Sequence, residues 1–69
     1  MTMPPISAHV KWQDPRKLSG AMGVVVRYYP LPFGCENGCR EHFWVAWQGT
    51  KLEGGFCPAR AWDQIMLAP

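Results

Sequence analysis

Glycine and proline cut this chain into short pieces, and that limits its folds more than any other feature. Seven Gly and seven Pro are spread along 69 residues. Proline removes a backbone donor and fixes φ, while glycine raises the cost of ordering a helix interior. Long helices are therefore disfavoured, and the segments between the breaks read as strands. The clearest is Gly23 to Tyr29, where three valines and two tyrosines suit a pleated surface. Alternation assigns Val24, Val26 and Tyr28 to the core face and Val25, Arg27 and Tyr29 to the other, because Arg27 must stay wet. Ala8, Val10 and Trp12 share one face of a first strand over 6–12. Phe43, Val45 and Trp47 alternate with Trp44, Ala46 and Gln48 in a strand over 42–48.

The remainder of the chain follows the same grammar. Gly49-Thr50 is a two-residue hairpin loop, and Lys51 to Cys57 returns. Gly54-Gly55 marks a bulge or a close backbone approach. Pro58 to Ala61 suits one 3-10 turn, and 62–67 closes the sheet as a last strand. Residues 1–5, with Pro4 and Pro5, read as a flexible tail, and 6–69 as a single domain. The prediction is an all-β fold of about five strands with one short 3-10 turn. Closure into a barrel would remove the edges that make apolar strands aggregate.

Composition excludes several classes. The hydrophobic fraction of 48% and aromatic fraction of 13% are too high for disorder. Four Trp are present, and Trp12, Trp47 and Trp62 are expected in the core. The net charge of +2 comes from interspersed signs, without the basic stripe of a dedicated nucleic-acid binder. No stretch approaches the roughly 20 apolar residues of a membrane helix. The first residues lack the basic and apolar regions of a secretory signal. Three Cys is an odd count, which argues against a secreted disulfide framework. The expectation is a cytoplasmic protein with no membrane partner.

The order of features resembles the small SH3-like barrels over about residues 8–67: a Gly-led valine strand, a strand ending in an apolar residue and Trp, a Pro-containing turn and a closing strand. KOW-type modules, plasmid and phage (mobile-element) accessory proteins and chromatin readers share this pattern. Arg16-Lys17-Leu18-Ser19-Gly20-Ala21 is similar to the segment that opens the barrel in the type II, plasmid-borne dihydrofolate reductases. Residues 56–65, Phe-Cys-Pro-Ala-Arg-Ala-Trp-Asp-Gln-Ile, resemble that family's closing segment. The resemblance implies a homo-oligomer in which Lys17 lines a central pore that takes folate and nicotinamide. The family's Val-Gln-Ile-Tyr catalytic strand is replaced here by Gly54-Gly55-Phe56-Cys57.

The cysteines carry the sharpest chemistry. Cys35, Cys39 and His42 are spaced C-x3-C-x2-H, with Cys57 distant in sequence. If Gln48 pairs with Lys51, counting back sets His42 opposite Cys57, and opposed Cβ atoms lie about 4.5–5.5 Å apart. Three thiolates and one imidazole on such a frame match a zinc site, which would also staple a chain this small. A bulge at Gly54-Gly55 would instead turn Cys57 to the other face. Cys35 and Cys39 have two further fates, a small disulfide across the Asn37-Gly38 turn or free thiols, and Cys57 alone reads as a small buried hydrophobe.

The long connection from Pro30 to Arg40 is a candidate recognition loop. Tyr29, Phe33, Arg40 and Trp44 are its candidate binding residues, since exposed aromatic faces offer stacking and cation–π contacts. No catalytic residues emerge: His9 and His42 lack a readable nucleophile or acid partner, and the carboxylates are scattered. The leading expectation is a non-enzymatic binding module for a protein or nucleic-acid partner, needing no cofactor. The alternatives are the reductase-like homo-oligomer and a zinc-stapled structural domain.

Overall fold

Short alternating segments pair into five antiparallel strands in the computed structural model, which describes residues 3–68. The strands are β1 (His9–Trp12), β2 (Met22–Pro30), β3 (Glu41–Trp47), β4 (Glu53–Phe56) and β5 (Ile65–Leu67). Two 3-10 turns, Lys17–Gly20 and Ala61–Asp63, join them, where one turn over 58–61 was expected. In the first, Leu18 and Ser19 hold left-handed φ of 49° and 54° before Gly20, a conformation sequence patterns rarely betray. Of the expected tail, Met1 and Thr2 lie outside the described residues, as does Pro69. Pro4 is buried, and the Tyr28 hydroxyl donates to its carbonyl at 2.6 Å.

The strand order is β4-β3-β2-β1-β5, and no ladder joins β4 to β5. The expected barrel is therefore an open sheet. The reason lies at Cys57-Pro58. Proline cannot extend the ladder, and the Cys57 carbonyl turns to accept from the N–H groups of Arg60 and Ala61. β4 is spent before it can reach β5. Rings rather than hydrogen bonds bridge the gap: Trp12 of β1 meets Phe56 of β4 edge to face at 5.8 Å.

The core draws on β1, β2, β3, the second 3-10 turn and β5. Val10, Val25, Phe43, Val45 and Ile65 are fully buried, with Trp47 and Ala61 beside them. Phe43 stacks on Phe56 and on Trp62, each at 5.8 Å. Trp12 stacks on Trp47 at 5.0 Å. Trp12 and Trp62 are half-buried against this cluster. Gly23 faces inward, where a Cβ would lie 2.6 Å from Val45 Cγ1, so no side chain fits.

Alternation fails at one place. A register shift between Val25 and Arg27 makes Val26 the extra residue of a β-bulge. Val25 is therefore inward, and Val26 is 44% exposed, the reverse of the expected faces. Past the bulge the expected parity returns. Tyr28 pairs with buried Phe43, and Arg27 pairs with Trp44 on the outer face.

Candidate metal centre

The β3–β4 hairpin brings His42 and Cys57 to the same place. The ladder pairs Phe43 with Phe56 and Ala46 with Glu53 without a bulge. The connecting loop is longer than two residues, since the Trp47 N–H reaches the Leu52 carbonyl, but the register is the expected one. One step beyond Phe43 and Phe56, it sets His42 against Cys57. Gly54-Gly55 marks a close approach rather than a bulge. A Cβ on Gly55 would collide with the Tyr29 phenol.

The loop between β2 and β3 supplies the other sulfurs. Its own hydrogen bonds order it. The Leu31 N–H donates to the Arg40 carbonyl, and the Cys35 N–H to the Cys39 carbonyl. The Gly38 N–H closes a turn on the Cys35 carbonyl, with Gly38 at a φ of 82° that asparagine-glycine turns favour. This fold of the loop carries Cys35 and Cys39 back over the end of β4.

The three sulfurs converge there. Cys39 Sγ lies 3.5 Å from Cys57 Sγ, and Cys35 Sγ lies 3.9 Å from it. All three fall within 4.8 Å of one another, a group that can hold a metal ion. None is disulfide-bonded. A tetrahedral ion bound at about 2.3 Å by thiolates sets its sulfurs about 3.8 Å apart, which the observed separations bracket.

His42 lies beside this group of three sulfurs rather than within it. It lines one hollow of about 420 Å³ with Cys35 and Cys57. Its Nδ1 lies 3.2 Å from the Tyr29 hydroxyl. Its Nε2 is buried without a hydrogen bond of good geometry, although the imidazole is close enough to act on the Cys35 thiol. A buried ring nitrogen without a partner is costly, and among the described residues Trp12 Nε1 shares that state. A metal-ligating histidine characteristically has its second nitrogen held by an outer partner, and the Tyr29 hydroxyl beside Nδ1 could serve as one.

The electrostatics favour a cation. The His42 imidazole, then backbone groups of Cys39 and Asn37 and the Cys57 thiol, lower the Cys35 pKa to about 6 against the effect of burial. Burial first, then the Cys57 and Cys35 sulfurs, push Cys39 up to about 11. One thiolate is thus stabilised among three sulfurs, and its charge opposes ionisation of a neighbour. A divalent ion reverses that opposition. The Asn37 amide also points at Cys57 Sγ, at 3.7 Å. Sequence reading missed Tyr29 and Asn37 as supports. The available signals were Asn37 inside the C-x3-C turn and Tyr29 at the position facing His42.

The other candidate residues fall into two groups. Tyr29 and Trp44 meet edge to face at 5.8 Å on the outer face of the sheet. The Arg27 guanidinium covers the Trp44 ring at 4.8 Å, and the Trp44 indole donates to Glu53 at 3.0 Å. Phe33 and Arg40 belong to the loop, where Arg40 donates to the Pro32 carbonyl at 3.0 Å. No hydrogen bond or ring contact joins the two groups among the described residues. Lys17 is exposed, with its ammonium 4.9 Å from the centre of the Trp12 ring. No helix among the described residues is long and apolar enough to cross a membrane. Comparison with family models, with curated proteins and with solved structures returned no match.

Replacing Tyr29 with phenylalanine removes the outer partner of His42 and leaves the ring packing in place. The expected result is a loss of about 10–100-fold in metal affinity, read by competition with a chromophoric chelator. An unchanged affinity would show that Tyr29 does not orient His42.

Proposed function

We propose that this chain is a zinc-stapled, non-enzymatic binding module, with Cys35, Cys39, Cys57 and His42 as the ligands. The observation that carries the reading is the convergence of three sulfurs at tetrahedral spacing, with the buried His42 imidazole beside the Cys35 thiol. Soft thiolates with one imidazole favour zinc over harder ions. Four protein ligands fill the tetrahedron and leave no open position for substrate, which is the arrangement of a structural site. The staple ties the 31–40 loop to the end of β4. The tie to β4 adds to the loop's own hydrogen bonds.

The strand order, with β1 between β2 and β5, supports likeness to the small SH3-like folds. Such folds present binding residues on loops held by a rigid sheet. The reductase-like alternative draws no support from the place of its catalytic strand. There Gly55 makes room for Tyr29, and Cys57 joins the sulfur cluster.

Native mass spectrometry under reducing conditions, without chelator, tests the site. The expected result is one zinc ion per chain, lost in Cys57→Ser. A chain that stays metal-free after incubation with zinc sinks the reading.

A further inference from the structure

The hollow beside the sulfurs gives a small polar molecule a way to two of them. It measures about 420 Å³, and its walls include Cys35 and Cys57 together with Asn37, Arg60 and Gln64. Cys35 and Cys57 are both half-buried, whereas Cys39 is 5% exposed and lies outside these walls. An oxidant must touch a sulfur to react, so exposure selects among thiols. Here it selects Cys35 and Cys57.

The same two sulfurs are within reach of a bond. They lie 3.9 Å apart, and a disulfide needs about 2.05 Å, so closure takes an approach of about 2 Å. Cys35 is on the 31–40 loop and Cys57 follows β4, so neither side chain leaves a strand when they close. The Cys39 and Cys57 sulfurs are nearer, at 3.5 Å, but burial screens Cys39 from the hollow.

We propose that Cys35 and Cys57 form an oxidation site, at which a hydroperoxide entering the hollow joins them in a disulfide and expels the metal ion. With hydrogen peroxide, the Cys35 thiolate attacks one oxygen. An S–O bond forms, the O–O bond breaks and hydroxide leaves. The Cys57 thiolate then attacks the Cys35 sulfur. The S–S bond forms, the S–O bond breaks and a second hydroxide leaves. Two solvent protons turn both hydroxides into water. Each sulfur has given up one electron, and the peroxide has taken both. Cys39 and His42 alone do not fill a tetrahedral coordination, so the ion departs. The disulfide, between residues 22 apart, keeps the loop tied to the end of β4 afterwards. The ejected ion depends on the zinc reading above, whereas the disulfide depends on the sulfurs alone.

A small excess of hydrogen peroxide, added to the zinc-loaded chain and to the reduced metal-free chain, tests this. In both, two of the three thiols are expected to stop reacting with an alkylating reagent and to return with dithiothreitol. Cleavage after Glu36 separates Cys35 from Cys39, so peptide mapping is expected to show the bridge as Cys35–Cys57. The loaded chain is expected to release its zinc in step with the bridge, read by a chromophoric chelator. The bridged chain is expected to melt above the reduced metal-free chain. Thiols that stay intact in the loaded chain, a bridge to Cys39, or oxygen added to sulfur without a bridge overturns the proposal. So does zinc retained by the bridged chain, or a bridge that leaves the melting midpoint unraised. A chain that takes up no zinc yet forms the Cys35–Cys57 bridge supports the oxidation site and removes only the metal reading.

Discussion

Removing zinc with a chelator is expected to lower the melting temperature by about 16–33 °C. The magnitude follows from linkage. At free zinc about 1,000-fold above its dissociation constant, a ligand that binds only the folded chain adds about 4.1 kcal/mol. For a domain of 60–100 residues, each kcal/mol moves the midpoint by about 4–8 °C. Structural zinc sites commonly bind tighter than this, so the range is a floor. The physical cause lies in which segments the ligands join. Cys35 and Cys39 sit on the 31–40 loop, His42 on β3 and Cys57 after β4. Without the ion, the loop keeps its own hydrogen bonds and the Asn37 contact to Cys57, and burial raises the cost of a thiolate at Cys39. Cys57→Ser should melt like the chelated wild type, and added zinc should no longer shift its midpoint. A wild type whose calorimetric midpoint is the same with and without chelator is not stapled by a metal.

Phe43→Ala is expected to cost about 3–5 kcal/mol, the usual penalty for deleting a buried phenyl. Phe43 is fully buried between the rings of Phe56 and Trp62. Those two residues come from β4 and from the 3-10 turn that leads into β5, and no ladder connects β4 to β5. Phe43 therefore joins by packing what the backbone leaves open. At about 0.05–0.15 kcal/mol per residue, a domain of this size holds only about 3–10 kcal/mol, so the loss approaches the whole. Zinc binding should weaken in parallel, because His42 is the adjacent residue on β3 and the site forms only when the strands are in place. Denaturant unfolding of the zinc-loaded variant measures the loss. A cost below about 1 kcal/mol would mean that the side chains around residue 43 close the space left by the ring, contrary to tight packing.

These two expectations separate the roles of metal and core. The chelator acts on the loop and the end of β4. The phenyl deletion acts on the seam between β4 and the turn before β5. A combined experiment, chelator added to Phe43→Ala, should leave no cooperative transition.

Much of this was legible in the residues because it is local. Hairpin register depends on a few turn residues and on alternation, so pairing Gln48 with Lys51 set His42 against Cys57, although the actual loop is longer. The C-x3-C-x2-H spacing, not the counting, singled out Cys35 and Cys39. Gly38 takes the left-handed φ that the Asn37-Gly38 pair favours. Chain-internal composition also determined the class, since a chain this rich in glycine, proline and aromatic residues can bury its rings on strands but not on long helices.

Tertiary structure decided the rest. Counting by twos gave the wrong face for Val25 and Val26, because the bulge depends on how β2 curves over β3 and not on the valines themselves. Whether the sheet closes was settled at Cys57-Pro58, where the chain turns into a 3-10 segment and packs rings across the opening. The approach of Cys35 and Cys39 to Cys57, and of Tyr29 to His42, needed the loop to fold back over the sheet. Those contacts span 13 to 22 residues, a separation over which no local propensity acts, so packing alone could place them.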